Sequence, residues 1–241
     1  MATGEELFRI SHRLDVNDVA FSPDGEHLVT AGWDGEAKVV DRAGHVIRVL
    51  SDGRWSLFAA RFSPDGRLVA TAARIPEGRY RLRIWDWERG VVVRTISADA
   101  SPVDFDPSGS RIATAGPEGV EIWNVESGLP VLVLEGQSGG VTDVAFSPDG
   151  SSVATSSNDG TVRLFEADTG AQQLVLRGHR CGVQSVAFSP DGTKLASSSG
   201  CDGVRIWALD IDDLLEIARE QVKRSLTDEE CRRYLHVDRC P

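Results

Sequence analysis

The phrase Phe-Ser-Pro-Asp-Gly recurs along this chain at a nearly constant interval. It stands at residues 21–25, 62–66, 146–150 and 188–192, with a degenerate copy, Phe-Asp-Pro-Ser-Gly, at 105–109. Successive copies begin 41, 43, 41 and 42 residues apart. Proline presets φ in such a turn and glycine adopts the positive φ that closes it, so each copy is typical of a hairpin between two apolar runs. A period of this length predicts one structural unit built five times.

Each unit predicts a small antiparallel sheet. Segment 137–178 contains four short runs with strand character, at 141–146, 152–156, 161–165 and 171–176, and a turn signal follows each of the first three. Four short strands at this spacing are typical of a meander. Because such a sheet cannot bury both of its faces alone, the units are expected to stack on one another.

The repeats resemble the WD-repeat family of β-propellers. Trp85-Asp86 is the dipeptide that ends this family's repeats, and Gly178-His179 is its upstream Gly-His pair. The other units vary at the dipeptide, with Val40-Asp41, Trp123-Asn124, Phe165-Glu166 and Trp207-Ala208. The resemblance covers about residues 5–209. It implies an all-β fold of four-stranded blades set around a channel.

The strand count predicts how the blades are completed. The first three strands of a unit appear five times, whereas the fourth follows only the first four units. Residues 2–10 match residues 168–176, so we expect residues 5–10 to be the closing strand of the last blade. Five four-stranded blades joined in this way leave no open edge and predict a monomer. An incomplete ring that assembles with further blades is the alternative.

A propeller over residues 1–210 and a helical tail over residues 211–241 are the expected domains. The blade repeats fall at about 11–50, 51–96, 97–136, 137–178 and 179–210. The tail has an apolar stripe at helical spacing and a capping box at 227–230, and it either covers the propeller or docks elsewhere. Residues 225–236 resemble tails that follow WD repeats in large bacterial signalling proteins with nucleotide-switch domains.

Composition excludes several classes of protein. With 41% hydrophobic and 26% charged residues, and no apolar stretch near membrane-spanning length, no membrane association is predicted. A net charge of −11 argues against general nucleic-acid binding, because phosphate contacts need surplus Lys and Arg. Residues 1–10 do not resemble a secretory signal. The four cysteines are expected to be reduced thiols in a cytoplasmic protein: Cys181, Cys201, Cys231 and Cys240.

Two histidines predict structural hydrogen-bond networks rather than catalysis. The resemblance implies that such a His joins a Ser or Thr, an Asp and a Trp within one blade. The candidates are Thr30 and Asp34 with His12, and Ser197, Asp202 and Trp207 with His179, while Trp85 and Trp123 hold the Trp position elsewhere. A Ser-His-Asp trio suggests a hydrolase, but positions that recur by repeat logic favour a structural role. No catalytic set and no cofactor are predicted, and Cys231, His236 and Cys240 are too loosely spaced to predict zinc.

Departures from the repeat indicate a candidate partner surface. The second unit carries additional residues between its second and third strands, and in propellers this loop shares a rim with the entry loop of the unit. Arg, Trp and Tyr are enriched in binding hot spots. The candidates are Trp33, Arg54, Trp55, Arg74, Arg79 and Tyr80. An ordinary surface loop with locally packed aromatics is the alternative.

The predicted function is non-catalytic protein binding through rim loops, as a scaffold or as a sensor module. Propeller loops vary freely while the strands fix their geometry, which suits recognition. The resemblance of the tail favours the signalling version of this function. A hydrolase or lyase with carboxylates at the channel mouth and a carbohydrate-binding propeller remain alternatives.

Overall fold

The computed structural model describes residues 6–51, 53, 55–76, 80–98, 101–116 and 119–210. The chain divides into two compact units, Met1–Ile206 and Trp207–Pro241, and all but four of the described residues belong to the first. The predicted helical tail, 211–241, lies outside the described residues. No helix in the described ranges is long and apolar enough to cross a membrane.

The described strands form five antiparallel sheets in chain order, as the repeat predicts. The first sheet contains β1 (Val16–Phe21), β2 (His27–Gly32), β3 (Glu36–Asp41) and β4 (Val46–Ser51). The second contains β5 (Leu57–Phe62), β6 (Leu68–Arg74), β7 (Tyr80–Asp86) and β8 (Val91–Ile96). The third contains β9 (Val103–Phe105), β10 (Arg111–Gly116), β11 (Gly119–Asn124) and β12 (Pro130–Leu134). The fourth contains β13 (Val141–Phe146), β14 (Ser152–Ser157), β15 (Thr161–Glu166) and β16 (Gln172–Arg177), and the fifth β17 (Val183–Phe188), β18 (Lys194–Ser199) and β19 (Gly203–Ala208).

The recurrent phrase forms the turn between the first two strands of a sheet. In the first sheet the Ser22 hydroxyl donates to Asp24 Oδ1 at 2.5 Å and accepts from the amide of His27 at 2.8 Å. The amide of Gly25 donates to the carbonyl of Ser22, and Gly25 has a φ of 70°. The same contacts recur in the second sheet, where Ser63 Oγ lies 2.5 Å from Asp65 Oδ1. The Ser, Asp and Gly of the phrase therefore act together to reverse the chain.

Consecutive sheets pack face to face through apolar side chains, and we call each such contact a junction. At the first junction Val29, Val39 and Leu50 of one sheet pack with Leu57 and Phe62 of the next. Similar buried clusters join the second sheet to the third and the third to the fourth. The cores of the molecule therefore lie between the sheets, as stacking of one-unit sheets requires.

The first sheet leaves its free face open. Phe21, which ends β1, is 73% exposed, whereas its repeat equivalent Phe62 is 8% exposed at the first junction. Neighbouring first strands pack in chain order from β1 to β17, but β17 and β1 make no comparable contact.

Closure by residues 5–10 is not confirmed. The described part of that segment, 6–10, is not assigned as a strand, and the fifth sheet has three strands in the described residues.

The prediction of four reduced thiols is wrong for one pair. Cys181 and Cys201 form a disulfide, with Cα atoms 6.2 Å apart. Cys181 lies before β17 and Cys201 lies between β18 and β19, so the hairpins of the fifth sheet bring two distant cysteines into bonding range. The cytoplasmic location rested partly on reduced thiols and loses that support. Cys231 and Cys240 lie outside the described residues.

Candidate functional site

The structure brings His12, Thr30 and Asp34 together in the first sheet. His12 Nε2 lies 2.7 Å from Thr30 Oγ1, and His12 Nδ1 lies 3.0 Å from Asp34 Oδ1. Burial acts to raise the pKa of Asp34, but hydrogen bonds from His12 and from the amide of Arg13 outweigh it and hold the pKa below its usual value. The side chains of His12 and Asp34 are almost fully buried, so the trio ties loops to strands and offers no access to a substrate.

The fifth sheet contains a second network of the same form. His179 Nε2 lies 2.8 Å from Ser197 Oγ, and His179 Nδ1 lies 2.9 Å from Asp202 Oδ1. The hydrogen bond from His179 is the main cause that lowers the pKa of Asp202 to about 2. Trp207 is the first residue of the second unit, and its part in this network stays a prediction.

In the second and third sheets the tryptophan forms a hydrogen bond to a threonine, and no histidine among the described residues takes part. Trp85 Nε1 donates to Thr71 Oγ1 at 2.8 Å in the second sheet. Trp123 Nε1 donates to Thr114 Oγ1 at 2.9 Å in the third. Each hydroxyl is buried and serves as an acceptor between strands, which is a structural role.

The fourth sheet rebuilds the network from other residue types. Gln137 replaces the histidine and donates through Nε2 to Thr155 Oγ1. Arg163 bridges the remaining gap, because its Nη1 lies 2.7 Å from Gln137 Oε1 and 2.9 Å from Asp159 Oδ2. Comparison of the repeats did not predict this network. It indicated only that the histidine and the tryptophan are absent from the fourth unit.

A cavity of about 410 Å³ lies along the first strands of the second to fifth sheets, and it carries charged side chains. Arg61 and Asp104 occupy equivalent repeat positions, where Ala20, Ala145 and Ala187 stand in the other units. Burial raises the pKa of Asp104 to about 6, against the opposing effects of a backbone hydrogen bond and the charge of Arg61. Carboxyl groups with such a pKa are suited to proton transfer, so this is where the hydrolase alternative must be judged.

The carboxylates at this cavity are engaged by the backbone of the following sheet. Asp104 Oδ2 accepts from the amide of Phe146 at 2.8 Å. Asp143 Oδ2 accepts from the amide of Val186 at 3.0 Å and from the hydroxyl of Ser185 at 2.7 Å. These hydrogen bonds link neighbouring sheets. They give the two carboxylates a structural role that requires no substrate.

Three aromatic side chains form a row at one end of the first two sheets. The ring centroids of Trp33 and Phe58 are 6.2 Å apart, and those of Phe58 and Tyr80 are 5.9 Å apart in an edge-on arrangement. Trp33 follows β2 and is 41% exposed, while Tyr80 begins β7. Arg74, at the end of β6, is also exposed. We call Trp33, Phe58, Arg74 and Tyr80 the rim surface.

Of the remaining candidates of the predicted patch, the structure describes Trp55. Trp55 is partly buried and packs against the apolar cluster of the first junction, so its ring supports the fold. Arg54 and Arg79 lie outside the described residues. A part for Trp55 in partner binding stays a prediction.

Phe58 was missed from the sequence, although a signal was present. Its repeat equivalents in the first, fourth and fifth units are the polar residues Asn17, Thr142 and Gln184. Asn17 Nδ2 and Thr142 Oγ1 donate to carbonyl groups of the next sheet, at 2.8 and 2.5 Å. Phe58 cannot donate such a hydrogen bond. Its ring instead contacts the rings of Trp33 and Tyr80.

The described residues contain no group of three or more His, Cys, Asp or Glu side chains that could hold a metal ion. The loosely spaced trio of Cys231, His236 and Cys240 lies outside them.

Comparison with known proteins finds a family model that matches three segments of the chain. The family model described as "WD domain, G-beta repeat" matches residues 4–41, 128–166 and 170–208. The second and third matches begin two residues before a fourth strand, and all three end at the last residue of a third strand. In this register residues 4–10 align with a fourth strand.

Curated relatives match between about one third and two thirds of this chain. Pre-mRNA-processing factor 19 homolog 2 of Arabidopsis thaliana is 32% identical over 166 residues, 64% of this chain and 30% of that protein. WD repeat-containing protein 55 of Pongo abelii is 28% identical over 167 residues, 67% of this chain and 43% of that protein. Target of rapamycin complex subunit wat1 of Schizosaccharomyces pombe is 35% identical over 92 residues, 36% of this chain and 29% of that protein.

This chain spans less than half the length of each of these relatives. All three are eukaryotic, so they do not support the resemblance of the tail to bacterial signalling proteins. Residues 4–41, 128–166 and 170–208 thus match the WD40 repeat model, and the antiparallel sheets recur at the same interval.

Proposed function

We propose that this chain is a non-catalytic module that binds protein partners through the rim surface. The observation that carries the proposal is the row of Trp33, Phe58 and Tyr80, which departs from the repeat in two consecutive sheets. Aromatic side chains supply large contact areas at low cost in conformational entropy, and Trp, Tyr and Arg dominate binding hot spots.

Strand pairing and a hydrogen bond position the side chains of the rim surface. Trp33 lies directly beyond β2, and the hydroxyl of Ser56 donates to its carbonyl at 3.1 Å. Tyr80 and Arg74 pair across β6 and β7. Because strands fix these positions, binding would order few side chains, which favours affinity. Arg74 adds a positive charge in a chain of net charge −11, so we expect the bound segment to be acidic and apolar.

The relatives support a role in assemblies of proteins. By their names, one is a subunit of a target of rapamycin complex and another is a pre-mRNA-processing factor. We carry over to this chain only the general role of holding protein partners. The engaged carboxylates at the cavity give the hydrolase alternative no comparable support.

Site-specific photo-crosslinking tests this function. Trp33→p-benzoylphenylalanine is expressed in the native host and irradiated, with Val131→p-benzoylphenylalanine as the matched control, because Val131 is an exposed apolar residue on β12. We expect protein adducts from position 33 and none of the same mass from position 131. Adding Arg74→Ala and Tyr80→Ala should reduce the adduct at position 33 about 30-fold or more, since the two residues together contribute on the order of 2 kcal/mol or more.

Equal adducts at both positions, or no adduct at position 33 from a folded protein, would contradict the proposal. Circular dichroism melts of each variant separate loss of binding from loss of fold.

A further inference from the structure

The first and fifth sheets each expose a face that is buried in the other sheets. The free face of the first sheet, which we call the leading face, carries Val16, Val19 and Phe21, all exposed. Their repeat equivalents Val183 and Val186 are buried at the junction of the fourth and fifth sheets. The leading face therefore carries the apolar side chains that one sheet contributes to a junction, but no second sheet of the described residues packs against them.

The opposite half is exposed on the fifth sheet. Val204 and Ile206 of β19 are 68% and 64% exposed, and we call them the trailing face. Their repeat equivalents in the fourth sheet, Val162 and Leu164, are 0% and 6% exposed. Exposed aliphatic residues at positions that are otherwise buried throughout the chain indicate a missing contact.

The segment before the first sheet restricts what can cover the leading face. Phe8 lies against Gly44, in the turn between β3 and β4. At the next junction the same place, against Gly90, is held by Arg48 from the fourth strand of the preceding sheet. Residues 6–10 thus stand where the fourth strand of a preceding sheet would stand. A sheet that docks on the leading face must supply the other three strands and lack its own fourth.

The fifth sheet is the one that meets this requirement in the described part of the chain. It has three strands, with β19 at its edge, and its trailing face is the correct half of a junction. Within one chain, β17 and β1 make no contact of the kind that joins the first strands of neighbouring sheets. We propose that the leading face binds the fifth sheet of a second copy of this chain, with residues 6–10 pairing along β19 of that copy.

Reciprocal docking covers every open face. When the fifth sheet of each copy lies on the first sheet of the other, both leading faces, both trailing faces and both β19 edges are buried in one two-fold assembly. Because each copy carries a net charge of −11, added salt should strengthen the contact by screening the repulsion.

Light scattering coupled to gel filtration, at rising protein concentration, tests the proposal. The full chain should reach twice 26.1 kDa. Phe21→Lys and Ile206→Lys should each raise the concentration for half-dimerisation about tenfold or more, because each loses a buried apolar side chain. Val131→Lys, an exposed residue on β12, should leave it unchanged. All three positions are exposed, and thermal melts check that the variants fold.

A mixture of the two interface variants tests whether the leading face of one copy binds the trailing face of the other. Phe21→Lys keeps an intact trailing face and Ile206→Lys keeps an intact leading face, so an equimolar mixture should form a heterodimer through one unmodified junction. Hydrogen exchange at the amides of residues 6–10 should slow only when dimer is present. A wild-type chain that stays monomeric at all concentrations overturns the proposal, and so does a mixture that associates no better than either variant alone.

Discussion

Phe21 and Phe62 are a natural matched pair for the energetics of a junction. Both end the first strand of a sheet, and both precede the same Ser-Pro-Asp-Gly turn. Phe62 is buried and meets Trp87 edge-on, with ring centroids 6.0 Å apart, whereas Phe21 is open to solvent. Phe62→Ala and Phe21→Ala therefore remove the same atoms in the same local backbone, and they differ only in what covers the ring.

The expected difference in stability follows from the exposed fractions. A phenylalanine side chain has roughly 200 Å² of surface, and the two rings differ in exposure by about two thirds of it. Roughly 130 Å² at about 25 cal/mol/Å² is worth about 3 kcal/mol, to which the cavity left in the core adds. Phe62→Ala should cost about 3–5 kcal/mol in free energy of unfolding. Phe21→Ala should cost less than about 0.5 kcal/mol in the monomer.

Urea unfolding followed by tryptophan fluorescence measures both values. The experiment is run at a protein concentration at which light scattering shows a monomer, so that contacts between copies do not contribute. The m-value must stay constant for the comparison of the two variants to hold. Equal losses in the two variants would refute the reasoning, because they would mean that the leading face is covered within a single chain.

Two further predictions concern the disulfide and the cavity. Reducing the bond between Cys181 and Cys201, which closes a loop of 20 residues, should lower the free energy of unfolding by about 3 kcal/mol. The reductant should have no effect on Cys181→Ser/Cys201→Ser, and an equal response in wild type and variant would contradict this assignment. At the cavity, the raised pKa of Asp104 means that the folded state holds this proton more tightly than the unfolded state does. Its contribution to stability is full below about pH 4 and is lost as the pH rises through about 6, by up to about 3 kcal/mol. Asp104→Asn should flatten the pH dependence of urea unfolding in that window, and an unchanged profile would show that the carboxyl is not perturbed.

The repeat pattern was sufficient to predict the strands and their order within a sheet. Turn residues at fixed offsets determine where the chain reverses, and alternation of apolar residues determines which face is buried. Val141–Phe146 and Ser152–Ser157 lie within a residue of the predicted bounds. Such signals are local, so a single unit contains all the information that they need.

The site was predicted less well, because its residues act across units. Phe58 gains its role from the rings of Trp33 and Tyr80, and Asp104 gains its role from the backbone amide of Phe146 in the next sheet. Trp55 has a residue type enriched in binding surfaces, but its ring packs against the apolar cluster of the first junction. Residue type and position in a loop do not indicate which way a ring turns.

The amino-acid sequence by itself determined the repeated unit, its hairpins and the family to which the repeats are similar, since these depend on contacts within about 40 residues of chain. Only the tertiary structure decided how the units meet. It showed that Cys181 reaches Cys201, that Arg163 completes the network around Gln137, and that Phe21 stays exposed where Phe62 is buried. Whether the series of sheets closes depends on the angle at every junction, and that angle arises from packing that no single repeat encodes.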